Sequence, residues 1–212
     1  MRFGPLLLLV MLALGAAAAA RGGDVREVSL PAAQDVSLPF MCSWGYDWQE
    51  RCYRADLEPV DVGGADDKVW RSALRFSLAS IPASATVVTA ELWVRYDRTC
   101  VAPRRRTVAC TGSAFDVEAR PIYTARWEAE REVAFGPAVF WAELEPDASV
   151  EWLVFDVTDL VGDWHAGRLA NDGVLLKLFD EEEAYNGGGP AFPSSSYPDP
   201  AVRPRLEVWY MT

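Results

Sequence analysis

The sequence lacks the motifs that enzymes use for nucleophilic or zinc-dependent chemistry. It has a single histidine, His165, and lacks the serine-elbow pattern G-x-S-x-G. Its four cysteines do not have the C-x-x-C spacing of zinc sites. A lone histidine without a nucleophile to activate favours a structural role for that side chain. We therefore expect a protein that is not an enzyme, with a polysaccharide lyase or a two-carboxylate glycosidase as the alternative.

Basic charge is also scarce. The chain carries 20 Lys and Arg residues against 31 Asp and Glu residues, for a formal net charge of −11. Nucleic-acid binding needs a basic footprint, so this class of partner is excluded. The only basic cluster, Arg104–Arg106, is typical of a solvated hairpin tip. The partners that remain are a polysaccharide or cell-surface glycan and a surface protein.

Long apolar runs are absent after the first 20 residues. Residues 1–20 begin with one arginine, continue as a Leu-rich run and end in alanines, with Ala18 and Ala20 in an A-x-A arrangement. This pattern predicts a signal peptide that is cleaved before Arg21. Because no second long apolar run follows, we expect no membrane span in the mature chain. The sequence thus predicts a secreted, extracellular protein with one domain over residues 21–212.

The four cysteines fall into two equally spaced pairs. Cys42 and Cys52 are ten residues apart, and so are Cys100 and Cys110. Cysteines in an exported chain favour disulfides over metal ligation. Four cysteines allow three connectivities, of which we predict the two local pairs.

The abundant feature is alternation of apolar and polar residues with period two. Residues 69–97 contain two such runs, and in the second Ala90, Leu92, Val94 and Tyr96 alternate with polar or amphipathic residues. Period two indicates half-buried antiparallel strands and excludes an amphipathic helix. We interpret the two runs as a central hairpin. Thr158 is positioned to cap one short helix that ends at Gly167.

Aromatic residues suggest a binding role. Trp44, Tyr46 and Trp48 alternate inside the first cysteine loop, with Asp47 between the last two. Flat rings beside carboxylate oxygens suit stacking on a sugar, although the same rings could cap one end of the core. Trp93 is a further candidate because it lies on the strand face opposite the core residues. Elsewhere, we assign Trp127, Trp141 and Trp152 to core or rim packing.

Evidence for metals and cofactors is weak. Asp61, Asp66 and Asp67 could supply oxygen ligands to calcium, but their spacing fits a solvated turn better. No cofactor is required by any motif. Residues 180–204 are rich in Gly and Pro and predict an irregular surface loop.

Three segments together resemble the DNRLRE-domain proteins, which include carbohydrate-binding module family 96. The segments are WRSALRFSLASIPASATVVTAELWV, WLVFDVTDLVGDWHAG with NDGVLLKL, and RPRLEVWY. The resemblance implies an all-β, jelly-roll-type antiparallel β-sandwich with one short helix. It also implies a secreted, non-catalytic carbohydrate-binding module, with a structural or adhesion module that binds a protein as the alternative.

Overall fold

The computed structural model describes residues 23–44, 50–53, 60–61, 63–65, 68–96, 99–102, 106–109, 114–125, 133–144, 152–179 and 189–212. Fourteen strands and one α-helix lie in these ranges. They are β1 (Val25–Trp44), β2 (Glu50–Tyr53), β3 (Val60–Asp61), β4 (Gly63–Ala65), β5 (Lys68–Phe76), β6 (Thr86–Arg95), β7 (Thr99–Ala102), β8 (Arg106–Ala109), β9 (Phe115–Pro121), β10 (Phe140–Leu144), β11 (Trp152–Asp156), α1 (Thr158–His165), β12 (Val174–Leu178), β13 (Gly189–Phe192) and β14 (Arg205–Met211).

The long strand β1 joins the two halves of the main sheet. Its first residues, up to Pro31, pair with β14, the residues from Ala32 to Phe40 pair with β5, and the last four pair with β2. The register shifts between Ala32 and Gln34, where an extra residue is accommodated as a bulge. Bulges increase strand twist and bend, so β1 can serve both halves. The main order is β10-β9-β12-β5-β1-β14-β6-β11, and every strand pair is antiparallel.

The sheet wraps around one hydrophobic core and nearly closes on itself. Its two end strands approach each other, and the rings of Phe140 in β10 and Phe155 in β11 meet edge to face at 6.3 Å. The core draws on both halves and includes Leu74, Leu92 and Val94, which are fully buried. The prediction of an all-β, antiparallel fold with one short helix is confirmed for the part of the chain that the structure describes.

The interpretation of residues 69–97 as a hairpin is wrong, although both strands exist. β5 pairs with β1, β12 and β4, whereas β6 pairs with β14 and β11. The two strands therefore lie in different halves of the sheet. Period-two alternation records which side of a strand is buried but contains no information about its partner. The connection over residues 77–85 passes between the halves rather than forming a tight turn.

Helix α1 covers part of the core, but Thr158 does not cap it. Thr158 is the first helical residue, and the carboxylate of Asp156 accepts its backbone N–H at 3.0 Å. The Thr158 hydroxyl instead accepts the N–H of Ala90 in β6 at 3.0 Å, which ties the helix to the sheet. Leu160, Val161 and Trp164 are buried, as the apolar spacing predicted. Gly167 follows the helix with a φ of 70°, in the left-handed conformation that glycine adopts without strain.

The Gly/Pro-rich segment 180–204 contains more regular structure than its composition indicated. Gly189–Phe192 forms the fully buried strand β13, and Phe192 packs in the core. Just after it, the carboxylate of Asp35 accepts the backbone N–H of Ser195 at 2.7 Å and also its hydroxyl. A carboxylate at the β1 bulge therefore holds this segment against the sheet. The prediction of a wholly irregular surface loop is wrong for these residues.

A smaller sheet, ordered β3-β13-β7-β8, carries part of the cysteine framework. In the main sheet, Cys42 of β1 lies directly opposite Cys52 of β2. Cys100 in β7 is buried and is not a free thiol, whereas Cys110 lies outside the described residues. Neither local pair has both of its side chains in the part of the chain that the structure describes, so the two local disulfides stay a prediction. The register of Cys42 with Cys52 is compatible with the first pair.

Candidate partner-binding surface

One row of side chains crosses the outer face of three neighbouring strands. The register places Trp141 of β10 beside Glu118 of β9, and Glu118 beside Lys177 of β12. Glu118 is only 4% exposed, and its Oε2 lies 2.7 Å from Arg120 Nε and 3.6 Å from Lys177 Nζ. Lys177 also donates to the carbonyl of Leu178 at 2.6 Å. This buried carboxylate is thus balanced by two cations, as a buried charge requires.

The next row exposes acidic and aromatic groups to solvent. Glu143 of β10 pairs with Asp116 of β9, and the N–H of Phe179 donates to the Asp116 carbonyl at 2.8 Å. Asp116 and Glu143 are exposed, and Phe179 is 67% exposed. A cavity of about 210 Å³ opens between the rows, lined by Asp116, Glu118, Trp141 and Phe179. We call these four residues together with Glu143 the acid–aromatic patch.

The segment just before β10 flanks this patch and packs on the same side of the sheet. The Phe135 ring lies under two guanidinium groups, 5.4 Å from Arg71 and 5.5 Å from Arg120. Arg120 also donates to the carbonyl of Gly136 at 3.2 Å. A Cβ on Gly136 would come within 2.9 Å of the Pro121 ring, so glycine is needed for this close approach. The segment supports the strands that carry the patch.

A second aromatic cluster lies on the other half of the sheet and contains the predicted site residue Trp93. Its Nε1 donates to Glu91 at 3.0 Å, and its ring meets Trp152 edge to face at 6.0 Å. The guanidinium of Arg205 lies 4.9 Å from the centre of Trp93 and 4.1 Å from that of Trp152. Arg205 in turn forms an ion pair with Glu207, with 2.6 Å between Arg205 Nε and Glu207 Oε1. Trp93 is half-buried within these contacts rather than standing open to solvent.

Most of the other predicted site residues cannot be placed. Trp44 is the last residue of β1 and its side chain is not described, while Tyr46, Asp47 and Trp48 lie outside the described residues. The histidine predicted to be structural, His165, contacts the carbonyl of Pro82 through Nε2 at 3.0 Å.

The calcium candidates have a similar outcome. The backbone of Asp61 is in β3, where it pairs with Ala191, and Asp66 and Asp67 lie outside the described residues. Within the described ranges, no group of three or more His, Cys, Asp or Glu side chains could hold a metal ion. A calcium site at these three aspartates stays a prediction.

Two residues of the patch were not predicted as site residues from the sequence. Trp141 was assigned to core or rim packing, and Phe179 was not identified as a candidate. Trp141 is 58% exposed, more than any other large apolar side chain of β9–β12 within the described residues apart from Phe179. Trp141 and Glu143 are two residues apart, as are Asp116 and Glu118, so each pair lies on one face of its strand. This spacing indicates a shared surface only once β9 is known to lie between β10 and β12.

The fold and the surface define a class of protein: an antiparallel β-domain that presents exposed aromatic and acidic side chains on one face of its main sheet. The family is given by a sequence comparison, in which the family model described as TGF-beta propeptide matches residues 59–187. The match covers more than half of the 212 residues, and the chain belongs to the TGF-beta propeptide family. This family is non-enzymatic, which confirms that the chain is not an enzyme. No curated protein matches the chain.

The family match overturns two conclusions from the sequence. The identification as a DNRLRE-domain protein is wrong, and so is the function of carbohydrate-binding module, for which no support is found. The three segments behind that resemblance are β5 with β6, β11 with α1 and β12, and β14. Their patterns reflect strand burial and one short helix, which many unrelated β-domains share. Fold-level patterns therefore gave the correct class and the wrong family.

Family membership also bears on location and partners. Propeptides of this family are secreted, and the family indicates a protein partner, the mature growth factor. Among the described residues, no helix is both long and apolar enough to cross a membrane. A polysaccharide partner has no support.

Proposed function

We propose that this chain is an extracellular prodomain-type module that holds a growth-factor-like protein partner. The observation that carries this proposal is the family match over residues 59–187. The acid–aromatic patch supports it, because exposed Trp and Phe rings on a rigid sheet are the side chains that anchor protein interfaces. We infer that residues 21–212 form a single β-domain, and the pairing of β1 with β14 in the main sheet supports this inference.

The charge of the chain is compatible with this role. A formal net charge of −11 favours association with a basic or neutral protein surface and raises the association rate with such a partner at low salt. The same charge opposes binding to polyanionic partners. The partner is therefore expected to present cationic side chains.

The test uses the secreted chain, whose N-terminal sequencing should show Arg21 as the first residue after removal of the leader 1–20. A panel of mature growth factors of the TGF-beta family is immobilised, and binding is measured by biolayer interferometry. We expect saturable binding to at least one growth factor with a Kd of about 1 µM or tighter, roughly −8 kcal/mol. A secreted β-domain of matched net charge is the control. If no growth factor prefers the chain over that control, the proposed function is wrong.

A further inference from the structure

We propose that the acid–aromatic patch is a docking site for a cationic side chain, arginine or lysine, on a basic segment of the protein partner. The proposal rests on the proposed function for the nature of the partner. The site itself is argued from the exposed side chains and the charges of β9, β10 and β12. The cationic group would enter the cavity of about 210 Å³ between Trp141 and Phe179.

The charge balance of the patch is negative toward solvent. Glu118 is neutralised from within by Arg120 and Lys177. Asp116 and Glu143 are exposed neighbours on the same face, and among the described residues neither forms an ion pair. A cation placed here would pair with Asp116 at short range, and a guanidinium could do so with two N–H groups. With the three carboxylates and two cations of this face counted together, the net charge is −1, and it favours a cationic occupant.

The two aromatic rings provide the second part of the site. Exposed Trp and Phe rings attract cations through their negative faces, and Trp does so most strongly. The chain already uses this interaction internally, with Arg205 stacked 4.1 Å from the centre of Trp152 and Arg71 near Phe135. Trp141 and Phe179 have the same chemistry on an open surface. A side chain with an apolar stem and a charged end matches a cavity with ring walls and a carboxylate at its rim.

An apolar occupant fits less well. It would cover the exposed carboxylate of Asp116 without offering it a hydrogen-bond donor. Burial of an unpaired carboxylate costs more than the contact of two rings contributes. A cationic side chain satisfies the carboxylate and the rings together, whereas an acidic one would be repelled by both acidic neighbours.

The first experiment tests the chemistry with a defined probe, a fluorescein-labelled hexa-arginine peptide, by fluorescence anisotropy. Trp141→Ala, Phe179→Ala and Asp116→Asn should each weaken binding about fivefold, the loss of one cation–π contact or one charge pair. Tyr197→Ala and Asp159→Asn are matched controls, because they remove an exposed ring and an exposed carboxylate elsewhere. The control variants should bind the peptide with a Kd within about twofold of that of the original chain, because an exposed charge outside the patch contributes little to binding.

The three substituted residues are solvent-exposed, and circular dichroism would verify that the variants keep the fold. A hexa-glutamate peptide of the same length should not bind. If the patch variants bind hexa-arginine as tightly as the two controls, the attraction is diffuse and the proposed site is wrong. Absence of any hexa-arginine binding to the original chain would also overturn it.

A second arm separates this proposal from the proposed function. Any growth factor that binds the original chain is tested against the Trp141→Ala/Asp116→Asn double variant, which should bind at least about tenfold more weakly. Equal binding by both proteins would overturn the patch and leave the proposed function standing. Variant-dependent binding of hexa-arginine without binding of any growth factor would support the patch and overturn the proposed function.

Discussion

Gly173 allows the sharpest test of how closely β12 packs against its neighbour β5. It precedes β12 and has a φ of 106°, which side-chain-bearing residues rarely adopt. A Cβ at this position would lie 2.5 Å from the carbonyl oxygen of Leu74 in β5. The Gly173 carbonyl also accepts the N–H of Ile122 at 2.9 Å. Gly173→Ala therefore combines an unfavourable backbone conformation with a clash against backbone that cannot rotate away.

The expected loss can be worked out from these two parts. A side chain at such a φ costs about 1–3 kcal/mol. Overpacking that forces a backbone shift costs about 1–3 kcal/mol more. The combined loss of about 2–6 kcal/mol corresponds to a fall in Tm of roughly 4–24 °C, because each kcal/mol lowers Tm by about 2–4 °C in a domain of this size. Few single substitutions outside the apolar core should cost as much.

Two other glycines are matched controls for thermal unfolding followed by circular dichroism. Gly167 has a φ of 70° but nothing within 4 Å of an added Cβ, so Gly167→Ala should cost only about 1–2 kcal/mol. Gly162 lies inside α1, also with nothing within 4 Å, so Gly162→Ala should stabilise by about 0.5–1 kcal/mol. From the highest Tm to the lowest, the expected order is Gly162→Ala, the original chain, Gly167→Ala and then Gly173→Ala. If Gly173→Ala and Gly167→Ala lowered Tm equally, contact with Leu74 would not be the cause.

Two further predictions concern charged groups. The side-chain and backbone hydrogen bonds from Thr158 hold the pKa of Asp156 below its ordinary value. Its contribution to stability is therefore complete well above the unfolded-state pKa and is lost as the pH falls through the folded-state pKa. The stability advantage over Asp156→Asn, measured by urea unfolding, should thus be constant above about pH 5 and shrink below it; an advantage that grows on acidification would contradict this sign. Arg205→Ala should destabilise the chain by about 1–2 kcal/mol, because it removes the cation from the Trp93 and Trp152 rings, and Arg205→Lys should lose less. Unchanged urea midpoints for both variants would show that the stack is not stabilising.

The sequence predicted individual elements well where a side chain's position depends on local pattern. Ala90, Leu92, Val94 and Tyr96 are all 2% exposed or less, as their alternation along β6 and just beyond it indicated. The buried stripe of α1 follows in the same way from the i, i+1 and i+4 spacing of its apolar residues. These predictions succeed because strand and helix periodicity decides which side of an element is apolar before any partner is present.

The partners of those elements were not predictable from the same pattern. β5 and β6 are neighbours in sequence, yet each pairs with strands more than 70 residues away, such as β12 and β14. Phe192 is buried in β13 because Asp35 and β7 hold a segment whose Gly and Pro content indicated a loop. Long-range contacts override local propensity in both cases.

The sequence by itself thus determined the fold class, the buried face of the strands and the short helix, and it contains no recognised nucleophile motif. Only the tertiary structure brought Asp116, Trp141 and Phe179 to one surface, because β9 lies between β10 and β12 and Phe179 directly follows β12. It also decided that Trp93 is half-buried against Arg205 and does not stand open to solvent. Burial patterns are local, whereas a binding surface depends on which strands become neighbours.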